Sequence, residues 1–170
     1  MALVVEDGTG LATAESYISV SDTDTYFTER GSPTDWTGLS TANKEAALRY
    51  ATEWLDGRFE WIGGVVDYND PQALGWPRVD AEDREGRIVL STIVPAKVKD
   101  ATCEVALAHA GTALNATQAR GGQVLREKVG SIEVEYQPGA PAEDVMPHVT
   151  RMLRGYGTSV SSGLIDVERS

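Results

Sequence analysis

Hydrophobic residues recur every three or four positions in four stretches of the chain, a spacing that places them on one face of a helix. These stretches predict helices beginning at Ser21 and ending before Gly31, from Thr41 to about Asp56, from Pro95 to Leu114, and from Ala142 to Arg154. Ser40 is suited to cap the second helix and Gly57 to end it. Pro147 falls inside the last stretch and predicts a kink or a shorter helix.

A period of two replaces the helical period after Gly121-Gly122. Residues 132–136 alternate apolar side chains with glutamates, which predicts a half-buried strand. The segment 123–129 precedes it, and Gly130-Ser131 between them is suited to a two-residue turn. The sequence therefore predicts one β-hairpin near residues 123–136.

The other segments carry turn residues and short apolar pieces instead of a regular period. Residues 57–94 are rich in turn chemistry, and loops of this length often contact a partner. Residues 1–19 predict an extended entry segment, and residues 155–170 a polar C-terminal arm. The fold class expected is mainly α (α+β). It is a small helical bundle with one β-hairpin and extended N- and C-terminal arms, divided into a domain over 1–154 and an arm over 155–170.

The charge of the chain is strongly negative. Its 170 residues carry a formal net charge of −11, and the first 35 hold seven acids and one base. Such a field repels nucleic acid and anionic membranes at long range. No apolar run approaches the roughly 20 residues that cross a bilayer, and the N-terminus lacks the pattern of a signal peptide. We expect a soluble protein made in the cytoplasm, without a membrane partner.

The residues that usually carry catalysis are few and poorly spaced. Cys103 and His109 would lie about 240° apart around one helix, so they do not form a nucleophile pair. One cysteine and two histidines offer no paired zinc spacing, and no segment has the calcium-loop or phosphate-loop pattern. We therefore expect neither an enzyme nor a protein with a metal or cofactor.

Nucleic-acid binding is an alternative that the sequence leaves open. A groove for single strands combines cations with aromatic platforms. The candidate contacts are Arg58, Trp61, Arg78 and Arg120. Two further bases, Arg126 and Lys128, fall in the predicted hairpin, where nearby glutamates offset their charge.

Four blocks of sequence also carry a family resemblance. They read Leu-Val-Val-Glu-Asp-Gly-Thr-Gly-Leu-Ala at 3–12 with Glu-Ser-Tyr-Ile-Ser-Val at 15–20, Trp-Leu-Asp-Gly-Arg-Phe at 54–59, Leu-Gly-Trp-Pro-Arg at 74–78, and Ala-Arg-Gly-Gly-Gln-Val at 119–124 continuing to Ile-Glu-Val-Glu-Tyr at 132–136. In this order and spacing, the blocks resemble the head–tail connector adaptors of tailed phages over about residues 1–154. Similar sequences are also labelled DnaT-like single-stranded-DNA-binding proteins.

The resemblance to connector adaptors implies a structural protein of the virion neck, assembled in the host cytoplasm and without enzymatic activity. Such adaptors form a ring of about twelve copies that joins the portal protein to the stopper or tail-completion protein. DNA would pass through the acidic lumen without specific binding. The alternative is a single-stranded-DNA-binding accessory protein.

A ring subunit needs surfaces that meet its neighbours, and the hairpin and the C-terminal arm are the candidates. The apolar island in the arm could add a strand to a partner's sheet edge, or the arm could be a free terminus. The candidate partner-binding residues are Arg126, Lys128, Ile132, Val134 and Tyr136 in the hairpin, and Leu164, Ile165 and Val167 in the arm.

Overall fold

The computed structural model of the protein describes residues 2–66, 71–111, 126–129, 132–135 and 146–160. Five helices lie within these ranges: α1 (Val20–Thr28), α2 (Thr34–Thr37), α3 (Thr41–Arg58), α4 (Ala96–Gly111) and α5 (Pro147–Leu153). The long helices α3 and α4 pack against each other, and α5 packs on α4. The helical body confirms the mainly α (α+β) fold class.

The strands within the described ranges are short and pair in three antiparallel couples. They are β1 (Phe59–Trp61), β2 (Gly64–Val65), β3 (Arg78–Val79), β4 (Arg126–Val129), β5 (Ile132–Glu135) and β6 (Gly157–Ser159). The couples are β1 with β6, β2 with β3, and β4 with β5. Strand β6 lies in the predicted C-terminal arm and places Gly157 opposite Trp61, so the first residues of that arm are part of the fold.

The predicted hairpin is present as the pair β4–β5. Its register places Val129 opposite Ile132, and Arg126 opposite Glu135. This register fits the two-residue connection that the sequence predicts. Residues 130–131 themselves lie outside the described ranges.

The core lies between the helices and beneath the aromatic side chains of the loops. Its largest fully buried members are Trp36, Trp76, Tyr17, Leu48, Leu55, Leu153, Val98, Val105 and Val149. They include apolar positions that the helical period places inward on the second, third and last predicted helices. Each buried aliphatic side chain of this size stabilises the fold by about 1.5–3 kcal/mol.

Two of the first helices differ from the prediction. Helix α1 begins at Val20, because Ser19 and not Ser21 caps it: the Ser19 hydroxyl accepts a hydrogen bond from the Asp22 N–H at 3.0 Å. Helix α2 was not predicted, since four residues are too few to show a helical period. Its Trp36 is buried in the core and explains why the segment docks there.

The ends of α3 and α5 show how tertiary context overrides local signals. Ser40 caps α3 as predicted, and its hydroxyl accepts from the Asn43 N–H at 3.3 Å. The helix does not stop at Gly57 but continues to Arg58, where the chain enters β1. Pro147 shortens the last helix, which is one of the two predicted effects: α5 begins at Pro147 and not at Ala142, and in the first turn the missing N–H costs nothing.

The N-terminal segment folds back on itself, in contrast to the extended entry that was expected. Val5 and Ser16 form a parallel bridge, and the Glu6 N–H donates to the Ser16 carbonyl at 2.9 Å. The buried Glu6 carboxylate accepts hydrogen bonds at 2.8–2.9 Å from three backbone N–H groups, those of Gly8, Gly10 and Leu11. A buried carboxylate is stable only when it accepts hydrogen bonds. The three bonds to Glu6 hold residues 6–11 in a closed loop.

Candidate functional site

Three of the four residues predicted to bind nucleic acid lie at the end of α3, in β1 and in β3. These are Arg58, Trp61 and Arg78, whereas Arg120 lies outside the described residues. The structure brings Trp61 and Arg78 together around Gly75, because both side chains hydrogen-bond groups that hold this loop in place. Whether this region can bind DNA depends on which donors and ring faces of these side chains are not already used within the fold.

A half-buried carboxylate organises the region, and we call it and its partners Tyr17, Trp61 and Gly75 the Asp56 cluster. The Asp56 carboxylate accepts from the Tyr17 hydroxyl, from the Trp61 indole N–H at 2.9 Å and from the Gly75 N–H at 3.0 Å. A Cβ on Gly75 would overlap the Trp61 ring, so only glycine fits beside it. The cluster joins α3 to the N-terminal segment and to the loop before β3.

The electrostatics of the Asp56 cluster reflect its burial. Burial raises the pKa of Asp56 above its ordinary value, and the three hydrogen bonds oppose that rise only in part. Burial also raises the pKa of Tyr17, as does the neighbouring Asp56 charge. Tyr17 therefore stays a neutral donor, and its oxygen also accepts from the Trp76 N–H at 3.2 Å. These properties are those of a structural clamp.

Arg78 is used inside the fold. Its guanidinium donates to the backbone carbonyls of Ile62 at 2.6 Å, Gly63 at 2.8 Å and Gly75 at 3.0 Å. Three bonds to carbonyl oxygens consume most of the five donors of an arginine. Arg78 therefore holds two loop segments together and has little left to offer a phosphate.

Arg58 and Trp61 are also turned toward the protein. The Arg58 guanidinium lies over the Trp54 ring, 5.4 Å from its centroid. Trp61 is half-buried, packs against Phe59 with ring centroids 5.5 Å apart, and donates its N–H to the Asp56 cluster. The juxtaposition of cations and aromatics that indicated a DNA platform is thus packing within the fold.

The hairpin candidates divide between described and undescribed residues. Arg126 and Lys128 lie on β4, and Ile132 and Val134 on β5. The register sets each basic residue opposite a glutamate, and β4 carries one more, so the two strands hold three acids against two bases. Tyr136, Leu164, Ile165 and Val167 lie outside the described residues. The hairpin strands therefore supply no excess of positive charge.

An exposed apolar strip, which we define as Ile88, Leu90 and Ile93, lies on the loop before α4. The three side chains are 75%, 63% and 43% exposed. Val89 between them packs against the core, and its N–H donates to the Ala81 carbonyl at 2.8 Å. The sequence marks this piece only as a short apolar run, because its alternation of exposed and buried positions is too brief to predict a surface.

Ion pairs offset part of the negative charge of the N-terminal region. Lys44 lies 2.8 Å from Asp24, and Arg49 lies 3.0 Å from Glu15. The hydrogen bond from Arg49 lowers the pKa of the Glu15 carboxyl. The acidic N-terminal region is therefore partly neutralised by cations of α3.

The buried cysteine has no catalytic partner within the described part of the chain. Burial raises the pKa of the Cys103 thiol to about 12, and its sulfur lies 3.8 Å from the Thr23 hydroxyl. His109 instead stacks on the Tyr50 ring with centroids 3.7 Å apart, and burial lowers its pKa. Cys103 is a core residue, as predicted, and its thiol is not activated.

Two further kinds of site are absent from the described residues. Their His, Cys, Asp and Glu side chains form no group of three or more that could hold a metal ion. None of their helices is both long and apolar enough to cross a membrane.

Comparison with known protein families places the chain. A family model described as "Putative DnaT-like ssDNA binding protein" matches residues 1–170, the whole chain. The chain belongs to this DnaT-like family. No curated protein and no solved structure matches it significantly. The DnaT-like label expected from the sequence blocks is confirmed, and none of these comparisons supports the head–tail connector adaptor.

The blocks that carried the resemblance meet inside this DnaT-like fold. The first block supplies Tyr17, the second Asp56, and the third Gly75 and Trp76, which converge on the Asp56 cluster. The third block also supplies Arg78, whose guanidinium holds the neighbouring loops. In the described residues, therefore, these three blocks encode the scaffold of the DnaT-like chain.

Proposed function

We propose that the protein binds single-stranded DNA and catalyses no reaction on it. The observation that carries this proposal is the match of the DnaT-like family model to the entire chain. The proposal concerns binding alone, because the described Cys103 and His109 form no nucleophile pair and no metal cluster accompanies them.

The surface of the described residues meets only some of the physical requirements for binding a single strand. A single strand offers phosphates and unstacked bases, so its binding surface combines cations with apolar or aromatic side chains. The apolar strip supplies exposed hydrocarbon. The net charge of −11 repels the strand at long range, so cations concentrated in one place must hold it.

The test is the binding of a fluorescent oligothymidine of about 20 nucleotides, measured by anisotropy across salt concentrations. We expect affinity to fall linearly with salt on a log–log plot, because cations are released from each contacted phosphate. A duplex of equal length is the control, and we expect it to bind more weakly. Failure to bind the oligonucleotide at about 50 mM salt would contradict the proposal.

A second function, the ring subunit of a head–tail connector, is favoured by the apolar strip. Exposed clusters of large apolar side chains mark interaction surfaces, and Ile88 and Leu90 are the most exposed of the large hydrophobic residues described. In this proposal the strip packs against the neighbouring subunit, and the portal and stopper proteins cover the two faces of the ring.

The connector proposal predicts a large assembly of the purified protein. Native mass spectrometry should show a ring of about twelve chains, each of 18.3 kDa. Leu90→Ser in the strip should dissociate the ring, whereas Val160→Ser, at an apolar side chain that is 48% exposed elsewhere, should not. A monomer at all concentrations, with or without portal protein, would count against this function.

A further inference from the structure

Three arginines stand apart from the other cations of the described residues. Arg84, Arg151 and Arg154 are exposed, and none of them forms an ion pair with a described carboxylate. Their position in the fold shows that they form one group.

The three residues lie around the end of α5. Arg151 lies in the last turn, and Arg154 is the residue that caps the helix. Residues three apart are neighbours on a helix surface, so these two lie side by side. Arg84 comes from the loop before α4 and packs against Gly155, where its backbone nitrogen and Cβ lie 3.4 Å from the site of an added Cβ. We call this group the basic edge.

Most of the other described cations already have partners. Ion pairs join Arg30 to Glu29, Lys44 to Asp24, Arg49 to Glu15, Arg87 to Asp83, and Lys97 to Asp100. Arg78 is engaged by backbone carbonyls and Arg58 lies over an indole ring. Lys99, which is half-buried near the start of α4, is a lone further cation without a described acidic partner. The basic edge is therefore where unpaired charge is concentrated.

The acids near Arg84 are themselves occupied. Asp83 and Glu85 each bind the guanidinium of Arg87 at 2.7 Å, and the Asp83 carboxylate also accepts the N–H groups of Glu85 and Arg87. The exposed Asp80 and Glu82 are the remaining carboxylates of this loop. This loop and the end of α5 thus hold four arginines and four carboxylates, a balance that contrasts with the acidic excess of the whole chain.

An apolar surface begins beside the basic edge. Ile88 pairs through a backbone bridge with Glu82, two residues before Arg84, and its side chain is 75% exposed. A single strand exposes both its phosphates and its unstacked bases, whereas a duplex encloses its bases. Cations next to exposed apolar side chains therefore suit a single strand better than a duplex. The dipole of α5 favours cations near its end, but it does not explain Arg84.

We infer that the basic edge of Arg84, Arg151 and Arg154 binds the phosphates of single-stranded DNA, with bases against Ile88. This inference rests on the proposed DNA-binding function and names the surface that performs it. Charge-assisted bonds from arginine to phosphate are strong and geometrically matched. Three such contacts contribute about 2 to the log–log salt slope of a single strand.

The experiment compares two triple variants of equal charge change. One is R84A/R151A/R154A, and the control is R30A/R49A/K97A, which removes three cations that are paired with acids outside the loop of Arg84. In the oligothymidine titration, the first variant should lose at least about tenfold in affinity, and its salt slope should fall by about 2. The control should keep the slope of the unaltered protein. Circular dichroism melting of both variants shows whether each remains folded.

Two outcomes separate the inference from the function on which it rests. If the unaltered protein binds the oligonucleotide and R84A/R151A/R154A retains its affinity and slope, the inference is wrong and the proposed function stands. If the unaltered protein does not bind, both are overturned. If R84A/R151A/R154A is unfolded, R84K/R151K/R154K serves instead; it should keep the salt slope but bind more weakly, because lysine cannot bind a phosphate through two donors.

Discussion

Replacing Asp56 with alanine is expected to lower the free energy of unfolding by about 3 kcal/mol. The substitution leaves the Tyr17 hydroxyl, the Trp61 indole N–H and the Gly75 N–H without their acceptor. Each unsatisfied buried donor costs about 1–3 kcal/mol, and removal of the desolvated carboxylate returns part of that cost. Urea denaturation followed by tryptophan fluorescence measures the change.

Two comparisons sharpen the Asp56 prediction. Glu53→Ala removes an exposed acid from the same helix and should change the free energy of unfolding by less than about 0.5 kcal/mol. Asp56→Asn should cost an intermediate amount, because its amide oxygen can replace the acceptor for Tyr17 and Trp61 while its NH₂ group faces the Gly75 N–H. Equal effects of Asp56→Ala and Glu53→Ala would show that the cluster does not hold the fold together.

The raised pKa of Asp56 also gives the Asp56→Asn comparison a pH dependence with a defined sign. Burial raises the folded-state pKa of Asp56 above its unfolded value of about 4. The folded state therefore holds this proton more tightly, and the stability that the proton provides is lost as pH rises through the folded-state pKa. The stability advantage of the unaltered protein over Asp56→Asn should shrink from pH 4 toward pH 7. An advantage that grows with pH would contradict the assignment.

Gly8→Ala is expected to destabilise the protein by about 3 kcal/mol, through two separate effects. Gly8 has φ +104°, a conformation that L-residues other than glycine rarely adopt. A Cβ at this position would also overlap the backbone carbonyl of Thr92, so the N-terminal loop or the loop before α4 would have to move. Thermal unfolding should show a melting temperature several degrees lower.

Gly31→Ala is the matched control for Gly8, because it isolates the conformational effect. Gly31 has a similar φ of +94°, but an added Cβ would meet no other described atom within 4 Å. Its cost should be only that of the backbone strain, about 1 kcal/mol. If the two substitutions cost the same, then close approach of the two loops contributes nothing at Gly8.

The helices were the part of the fold that local sequence could predict. Their apolar faces follow a period that depends on nearby residues alone, and the Ser40 cap needs only the Asn43 N–H three residues later. The hairpin was predictable for the same reason, since its strands are adjacent in the chain. The error at Ser21 was local, because the Ser19 cap sets the start of α1, whereas α3 runs past Gly57 into β1, which pairs with a distant strand.

The pairing of distant segments could not be predicted from a single sequence. Strand β1 pairs with β6 almost a hundred residues later, and neither strand is long enough to show an alternating pattern. The roles of Arg78 and Trp61 depend on the same kind of contact. In sequence, an arginine next to an aromatic residue looks the same whether its guanidinium binds a phosphate or a backbone carbonyl. The guanidinium of Arg78 binds the carbonyl of Ile62, which is 16 residues away in the chain.

The Asp56 cluster separates the residues that hold this fold together from the surface that we infer binds DNA. Its polar groups hydrogen-bond one another and so connect α3, the N-terminal segment and the loop before β3. A chain can keep them and alter the loop that carries Arg84 and Ile88 without disturbing α3 or its partners. On such a scaffold, ligand binding can change through a few surface side chains. The residues that hold the fold together can stay the same while this happens.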